Sequence, residues 1–430
     1  MAVKFGILTI LLFVLSIPLM LIGSLGSERQ TRRDAVVEEV ARSWGGRQQI
    51  GGPILSVPYT LTWREPNGTT QRQPRTLRVQ PALVEVAGVL APEVRQRSLY
   101  VVPVYRTTLR MTGTFVRPDV EALAGTDGQI AWGDATVAIN VSDPHGLSAD
   151  PSLRWNGEPF TLMPGGVLFP NGISAKGITL ASIPAGTSIA FSVDIDLKGT
   201  DRLQILPTGS TTRLRLQSPW RDPGFIGAAL PDTSRISDQG FAAEWRLSRF
   251  STSFPVTWHP QDLDESALVA KAHAGAVGVQ LVTMVDMYQQ TERATKYGFL
   301  FIVLTFVGFL LVEQLQRIAV HPLQYFAIGL ALCVFFLLLL SFSEHIGFTR
   351  AYICASGATI ALIGTYATSV LKGIANGIRT AAMLAGLYST LYVLLQLEDY
   401  ALLVGSLLVF TVLATVMYMT RRIDWYQPRH

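Results

Sequence analysis

The chain has 430 residues, 49% hydrophobic and only 15% charged, where an average soluble domain carries roughly a quarter charged residues. Its formal net charge of +4 gathers beside apolar runs and is not laid out with aromatics as a basic platform, which argues against nucleic acid as a partner. Both cysteines, Cys333 and Cys354, lie inside apolar runs and are expected to be small buried hydrophobes, so the remainder has neither a disulfide scaffold nor a cysteine-rich zinc site.

The first element is apolar from Phe5 to Leu25, with Lys4 before it and Ser27-Glu28-Arg29 after it. A spanning helix needs about 20 apolar residues. A secretory signal would usually have a shorter apolar core and an Ala-x-Ala cleavage site, so residues 1–26 read as a retained membrane anchor. Between Thr31 and Trp44, Val36, Val37, Val40 and Ala41 recur at helical spacing among Arg and Glu. This predicts that the first helix continues outward as an amphipathic segment and stops at Gly45-Gly46.

From there to residue 296 the period changes to two. Ile189, Phe191, Val193, Ile195 and Leu197 alternate with Ser192, Asp194, Asp196 and Lys198. Tyr105, Leu109, Met111 and Phe115 alternate with Arg106, Thr108, Arg110 and Thr112. Val137, Ile139 and Val141 alternate with Thr136, Asn140 and Ser142. Each reads as a strand with one buried and one solvated face. Turn signals separate them at Pro66-Asn67-Gly68, Asp143-Pro144, Pro164-Gly165-Gly166, Asn171-Gly172 and Pro184-Ala185-Gly186. Residues 27–296 are therefore expected to form a β-rich, antiparallel, sandwich-like domain.

Residues 297–420 hold five more apolar runs: Tyr297–Leu315, Leu323–Phe342, Thr349–Leu371, Ile378–Leu395 and Ala401–Thr420. Loops this short predict antiparallel neighbours in one bundle, and residues 421–430 are left as a tail. With the N-terminus inside, the inner flanks hold Lys4, Arg317, Lys372, Arg379, Arg421, Arg422 and Arg429, and the short outer loops only Arg350. That bias places both termini in the cytoplasm and the β-rich domain outside, in the periplasm of a Gram-negative cell. Tyr297, Tyr325, Tyr400, Trp425 and Tyr426 fall where interfacial rings are favoured. The architecture expected is thus a transmembrane bundle of one plus five helices with a large β-rich periplasmic domain.

Catalytic signatures are missing. There is no Gly-Lys pair for a P-loop, no Gly-x-Ser-x-Gly, no His-Glu-x-x-His and no Cys-x-x-Cys. No two of the six histidines have metal-ligand spacing, and His145, His259 and His273 read as surface or loop residues. Ionisable groups near membrane spans are the better candidates, since they are costly there. Glu344 and His345 lie at the outer end of the third span, Glu398 and Asp399 at the outer end of the fifth, and Glu313 and His321 flank the inner loop between the second and third. All sit at expected span ends, where water or headgroups can solvate them, so caps and interhelical hydrogen bonds are the plainer reading. Glu344 with His345 ranks first because a carboxylate beside an imidazole can pass protons, although adjacent helical residues do not share a face.

Several longer motifs resemble the CreD family of bacterial inner-membrane proteins. They include His321-Pro322-Leu323-Gln324-Tyr325, Leu337–Phe348 with its Ser343-Glu344-His345-Ile346-Gly347, and Ala351-Tyr352. Leu397-Glu398-Asp399-Tyr400, Met417-Tyr418 and Thr420–Tyr426 match as well. So, in the outer domain, do Ser43-Trp44-Gly45, Gly52-Pro53-Ile54-Leu55, Val102-Pro103-Val104-Tyr105, Ser218-Pro219-Trp220 and Val285-Asp286-Met287-Tyr288. Arg97-Ser98 and Asp143-Pro144-His145-Gly146 depart from the expected pattern, which puts local loop roles in doubt but not membership. The resemblance implies an envelope-integrity protein linked to colicin tolerance and to β-lactam or envelope stress. It implies no enzyme activity, no catalytic residue, no metal and no cofactor.

The expectation is therefore a non-enzymatic protein of the inner membrane whose periplasmic domain binds a periplasmic or cell-wall partner, with the lipid bilayer as the other partner. A transporter or lipid-handling protein using the bundle is the alternative, but no paired interrupted helices or repeated halves point to it.

Overall fold

A computed structural model describes residues 2–97, 100–125, 127–166, 171–252, 255–281, 287–316, 318, 320–397 and 401–421. It divides the chain into two compact units, Met1–Asp34 with Val285–His430, and Ala35–Met284. The helices in chain order are α1 (Ala2–Trp44), α2 (Val120–Ala124), α3 (Arg249–Thr252), α4 (Glu265–Ala274), α5 (Met287–Gln316), α6 (Pro322–Ile346), α7 (Phe348–Val370), α8 (Ile374–Gln396) and α9 (Ala401–Thr420).

Helix α1 joins the expected anchor and its amphipathic extension in one 43-residue helix. It ends where the sequence supplies glycine, Gly45 having φ 127°. Val37 and Val40, on the apolar stripe of the extension, pack against Val102 and Val104.

The Ala35–Met284 unit is built from two sheets that bury their inner faces in one core. The eight-stranded sheet runs, in spatial order, Thr233–Ser237, Gly240–Ser248, Thr211–Ser218, Leu83–Arg97, Tyr100–Val116, Ser188–Thr200, Ser152–Trp155 and Glu158–Thr161. Its alternation is clean. Val193 and Ile195 are buried opposite Met111 and Leu109, while Asp194 reaches outward to Arg110 at 2.7 Å. The period-two pattern works here because each strand has core on one side and solvent on the other.

The ten-stranded sheet is centred on Gln48–Arg64, which pairs in antiparallel fashion with Thr70–Val79 and Thr136–Val141 and in parallel with Arg202–Leu206. A second parallel pair joins Thr211–Ser218 to Leu83–Arg97, so the sheets are mixed and not purely antiparallel. The strand Thr136–Val141 departs from expectation, because all six of its residues are buried. Thr136 and Asn140 stay inside because their polar groups are met: the Thr136 hydroxyl donates to the Asp134 carbonyl at 3.0 Å and the Asn140 amide to the Gln49 carbonyl at 3.2 Å. On the neighbouring strand, Ile54 points away from the main core and is covered by Trp258 with Leu268 and Ala272 of α4.

Turn chemistry follows the sequence. Pro66-Asn67-Gly68 closes the hairpin from Arg64 to Thr70, with Gly68 at φ 84°. Gly186, at φ 79°, precedes the strand that starts at Ser188.

Among the described residues, five helices are long and apolar enough to cross a membrane: α1, α5, α6, α7 and α8. The apolar stretch of α9, Leu403–Tyr418, is shorter. Their outward faces carry exposed Phe13, Met20, Ile353, Leu362 and Phe410, a surface suited to hydrocarbon and not to water. Inside, α1 lays Leu8, Leu15, Leu19 and Ile22 among Phe301, Phe306, Phe336 and Leu339. Gly329 permits this approach, because a Cβ there would lie 2.2 Å from Leu15 Cδ1. Phe335, Tyr352 and Tyr388 form an aromatic cluster between α6, α7 and α8. Cys333 is buried as expected, but Cys354 is exposed on α7. Tyr325, expected among interfacial rings, is fully buried.

Candidate functional site

Four of the six candidate residues are described: Glu313 and Glu344 each belong to a cluster, and His321 and His345 stand apart. Glu313, near the C-terminal end of α5, is not solvated as its position in sequence suggested. It is 2% exposed and forms an ion pair with Lys4 at the start of α1. The Tyr325 hydroxyl donates to its other oxygen at 2.8 Å. Lys4 Nζ also donates to the Val320 carbonyl at 2.9 Å and lies 5.5 Å from the centroid of the Tyr325 ring. Both carboxylate oxygens of Glu313 are thus occupied, which a buried charge requires.

His321, eight residues on, is not part of this cluster. It is the N-cap of α6: its Nδ1 accepts from the Leu323 N–H at 3.2 Å, and Gln324 Oε1 accepts from the His321 N–H at 2.9 Å. Pro322 at the first helical position completes a strong start signal. The imidazole is committed to folding the helix.

At the far end of α6, Glu344 accepts a hydrogen bond from the Tyr288 hydroxyl at 3.2 Å and lies 3.7 Å from Arg29 Nε of α1. Tyr288 is buried in the first turn of α5. His345 is exposed, and no hydrogen bond joins it to Glu344 among the described residues. It belongs to the last turn of α6, where a cation is favoured by the helix dipole. The two neighbours ranked first therefore face different surroundings, as adjacent helical positions must. Glu398 and Asp399 lie outside the described residues.

Both clusters do the same work. Lys4 and Arg29 are 25 positions apart on α1, or about 37 Å at helical rise, which compares with about 30 Å of hydrocarbon plus interface. Each end of the anchor helix is held by a carboxylate of another helix, Glu313 of α5 and Glu344 of α6. Sequence reasoning found the carboxylates but missed Lys4, Arg29, Tyr288 and Tyr325 as their partners. Tyr288 and Tyr325 stand within the quoted family motifs, and that was the available signal.

One sizeable hollow lies between helices of this unit, about 330 Å³ between α5, α8 and α9. Its lining is apolar apart from Thr411 and Thr415, whose hydroxyls donate to carbonyls of their own helix at 2.7 and 2.8 Å. Among the described residues, no ionisable one lines it.

The Ala35–Met284 unit holds two further polar clusters. Trp44 lies under three cations, with Arg95 at 4.5 Å, Arg106 at 5.1 Å and Lys198 at 5.2 Å from its ring, each such contact contributing on the order of 0.5–1 kcal/mol at an exposed site. The Tyr59 hydroxyl and His259 Nε2 share a hydrogen bond of 3.0 Å, and Asp262 sits 3.5 Å from His259 Nδ1 while holding Arg75 by two bonds. Burial pulls the His259 imidazole below its ordinary pKa, with Asp262 opposing and Arg75 adding to the shift. His259 is thus a partnered histidine that fastens the turn before α4, and not a free surface residue. His145 is exposed beside Asp143, and His273 meets Gln49 Oε1 at 2.7 Å.

Comparison with known proteins agrees with the residues. The family model described as inner membrane protein CreD matches residues 1–426. Inner membrane protein CreD of Escherichia coli (strain K12) is 33% identical over 425 residues, covering 96% of this chain and 91% of that protein. The quoted motifs, the apolar helices around a β-rich domain and the whole-chain match lead to one conclusion: the chain belongs to the CreD family of inner-membrane proteins.

Proposed function

We propose that this protein supports the integrity of the cell envelope under stress without catalysing a reaction, and that its β-rich domain faces the periplasm and binds a periplasmic or cell-wall partner. The carrying observation is what the charges of the membrane unit do. Every described candidate carboxylate there is engaged in holding one helix to another, and the hollow between α5, α8 and α9 has no ionisable lining. A proton relay or an ion path would call for such groups along a cavity. With the bundle spent on anchoring, recognition falls to the outer domain. Lysine and arginine at Lys4, Arg317, Lys372, Arg379, Arg421, Arg422 and Arg429, against Arg350 alone, support cytoplasmic termini for the six helices. Tolerance of certain colicins and a response to envelope or β-lactam stress are what the family resemblance implies.

The apolar hollow itself favours the second reading, in which the bundle handles lipid, since its dimensions and lining suit an acyl chain. One experiment tests the anchoring role that the first reading gives these charges. In a strain lacking the protein, Glu344→Gln and the double change Lys4→Met with Glu313→Gln keep shape but remove charge. At normal abundance by immunoblot, both should restore envelope-stress tolerance fully. Loss of tolerance at normal abundance would contradict the anchoring role and favour a bundle that works through ionisation.

A further inference from the structure

The solvated face of the eight-stranded sheet is laid out in register. One cross-strand row reads Arg235, Ala242, Gln217, Val89, Thr108. The next, two residues along, reads Thr233, Glu244, Arg215, Ala87, Arg110. Ala242 offers only a methyl between two long neighbours, so the surface dips there. Two hollows of about 380 and 270 Å³ result, sharing Arg235, Ala242 and Gln217 in their linings. They form a shallow trough along the Gly240–Ser248 strand, with Arg235 on one wall and Gln217 and Arg215 on the other.

The charges in the trough are out of balance. Elsewhere on this face Arg110 is matched by Asp194 at 2.7 Å and Arg213 by Glu85 at 2.8 Å, while Arg95 and Arg106 share Glu93. The Arg235 guanidinium is exposed and has no ion pair or side-chain hydrogen bond among the described residues. Arg215 lies 3.5 Å from Glu244, but Arg246 lies at the same distance from the same oxygen, which is buried and accepts no hydrogen bond among the described residues. Two guanidinium groups thus share one carboxylate, and a third has none. Between them, the floor of Ala242 and the exposed Val89 is apolar, and Gln217 supplies an amide beside the Ser237 hydroxyl, which donates to the Gly240 carbonyl at 3.4 Å.

A guanidinium fork matches a carboxylate, amide and hydroxyl groups match sugar hydroxyls, and a flat apolar strip matches the face of a pyranose ring. An open trough of this kind suits a segment of a polymer better than an enclosed small molecule. We infer that this trough is a binding site for an anionic glycan, a sugar chain that carries carboxylate groups. The inference rests on the reading that the outer domain binds an envelope partner and names the chemistry of that partner. An extended peptide is the competing occupant. It would pair with the free edge of the Thr233–Ser237 strand and would not need the guanidinium of Arg235.

The test uses the full chain in detergent micelles and two probes. One is a peptide-free glycan strand of alternating N-acetylglucosamine and N-acetylmuramic acid, whose lactyl carboxylates are free. The other is chitohexaose, which has a similar sugar backbone without charge. The strand should bind about tenfold more tightly than chitohexaose, and raised salt should narrow that gap. Arg235→Ala and Arg215→Ala should each weaken strand binding about tenfold, with Arg235→Lys in between because it keeps the charge but loses the fork. Arg110→Ala, on the same sheet face but outside the trough, should leave binding unchanged. Equal binding of the two probes, or full strand binding by Arg235→Ala, would overturn the inference. Intact peptidoglycan sacculi separate the two levels of the argument. Sacculi held equally by the unaltered chain and by Arg235→Ala with Arg215→Ala would overturn the trough and leave the outer-domain reading standing. An unaltered chain that holds neither sacculi nor strands would overturn both.

Discussion

At the scale of single residues, the burial of Glu313 sets the energetics of the membrane unit. A carboxylate that is 2% exposed is tolerable only while its partners remain. Lys4 neutralises it, and the Tyr325 hydroxyl satisfies the second oxygen. Removing one member of a buried pair costs about 3–5 kcal/mol, because the other charge is stranded, whereas removing both can be nearly neutral. Lys4→Met should therefore lower the thermal stability and steady-state level of the protein, and adding Glu313→Gln should restore most of the loss. Tyr325→Phe should cost only about 1 kcal/mol, the net contribution of one hydrogen bond. Thermal unfolding in detergent checks all three. Additive losses in the Lys4→Met, Glu313→Gln double variant would mean the two groups are not coupled.

At the scale of elements, the strand Ser188–Thr200 gives the sharpest contrast. Val193 is fully buried, while Asp194 faces outward with Arg110. Val193→Asp puts an unpaired charge in the core and should destabilise the β-rich domain by several kcal/mol, about 4 or more. Asp194→Val removes only an exposed ion pair and should change stability by about 1 kcal/mol or less. Limited proteolysis of the full chain with increasing urea measures both, and comparable effects would mean that both faces of the strand are buried. This strand and Tyr100–Val116 were legible in the sequence because each has one wet face, so composition records the geometry. Thr136–Val141 was misread for a physical reason: its Thr and Asn look solvated in sequence, yet hydrogen bonds to Asp134 and Gln49 let them stay inside. The membrane helices were legible from length and apolarity alone. The clamps were only half legible, because Lys4 and Glu313 are 309 positions apart in the chain, and nothing local to either residue records the other.

At the scale of the whole molecule, the two units answer to different solvents. The Ala35–Met284 unit buries Val, Ile, Leu and aromatic side chains between two sheets and turns arginine ladders to water. The membrane unit turns Phe, Leu and Ile outward, and gains its cohesion from close contacts such as Leu15 against Gly329 and from the paired charges at either end of the apolar part of α1. Family membership and the apolar helices make this an inner-membrane protein of several spans. The proposed function depends on which side of the membrane the β-rich domain occupies, because a cell-wall partner is reachable only from outside. Reporter fusions settle this most directly: alkaline phosphatase, active only outside the cytoplasm, and green fluorescent protein, fluorescent only within it, each joined after Gln290 and after Arg422. A periplasmic β-rich domain gives phosphatase activity without fluorescence at Gln290, and fluorescence without phosphatase activity at Arg422. Fluorescence from the Gln290 fusion would place the β-rich domain in the cytoplasm and contradict the proposed function at its base.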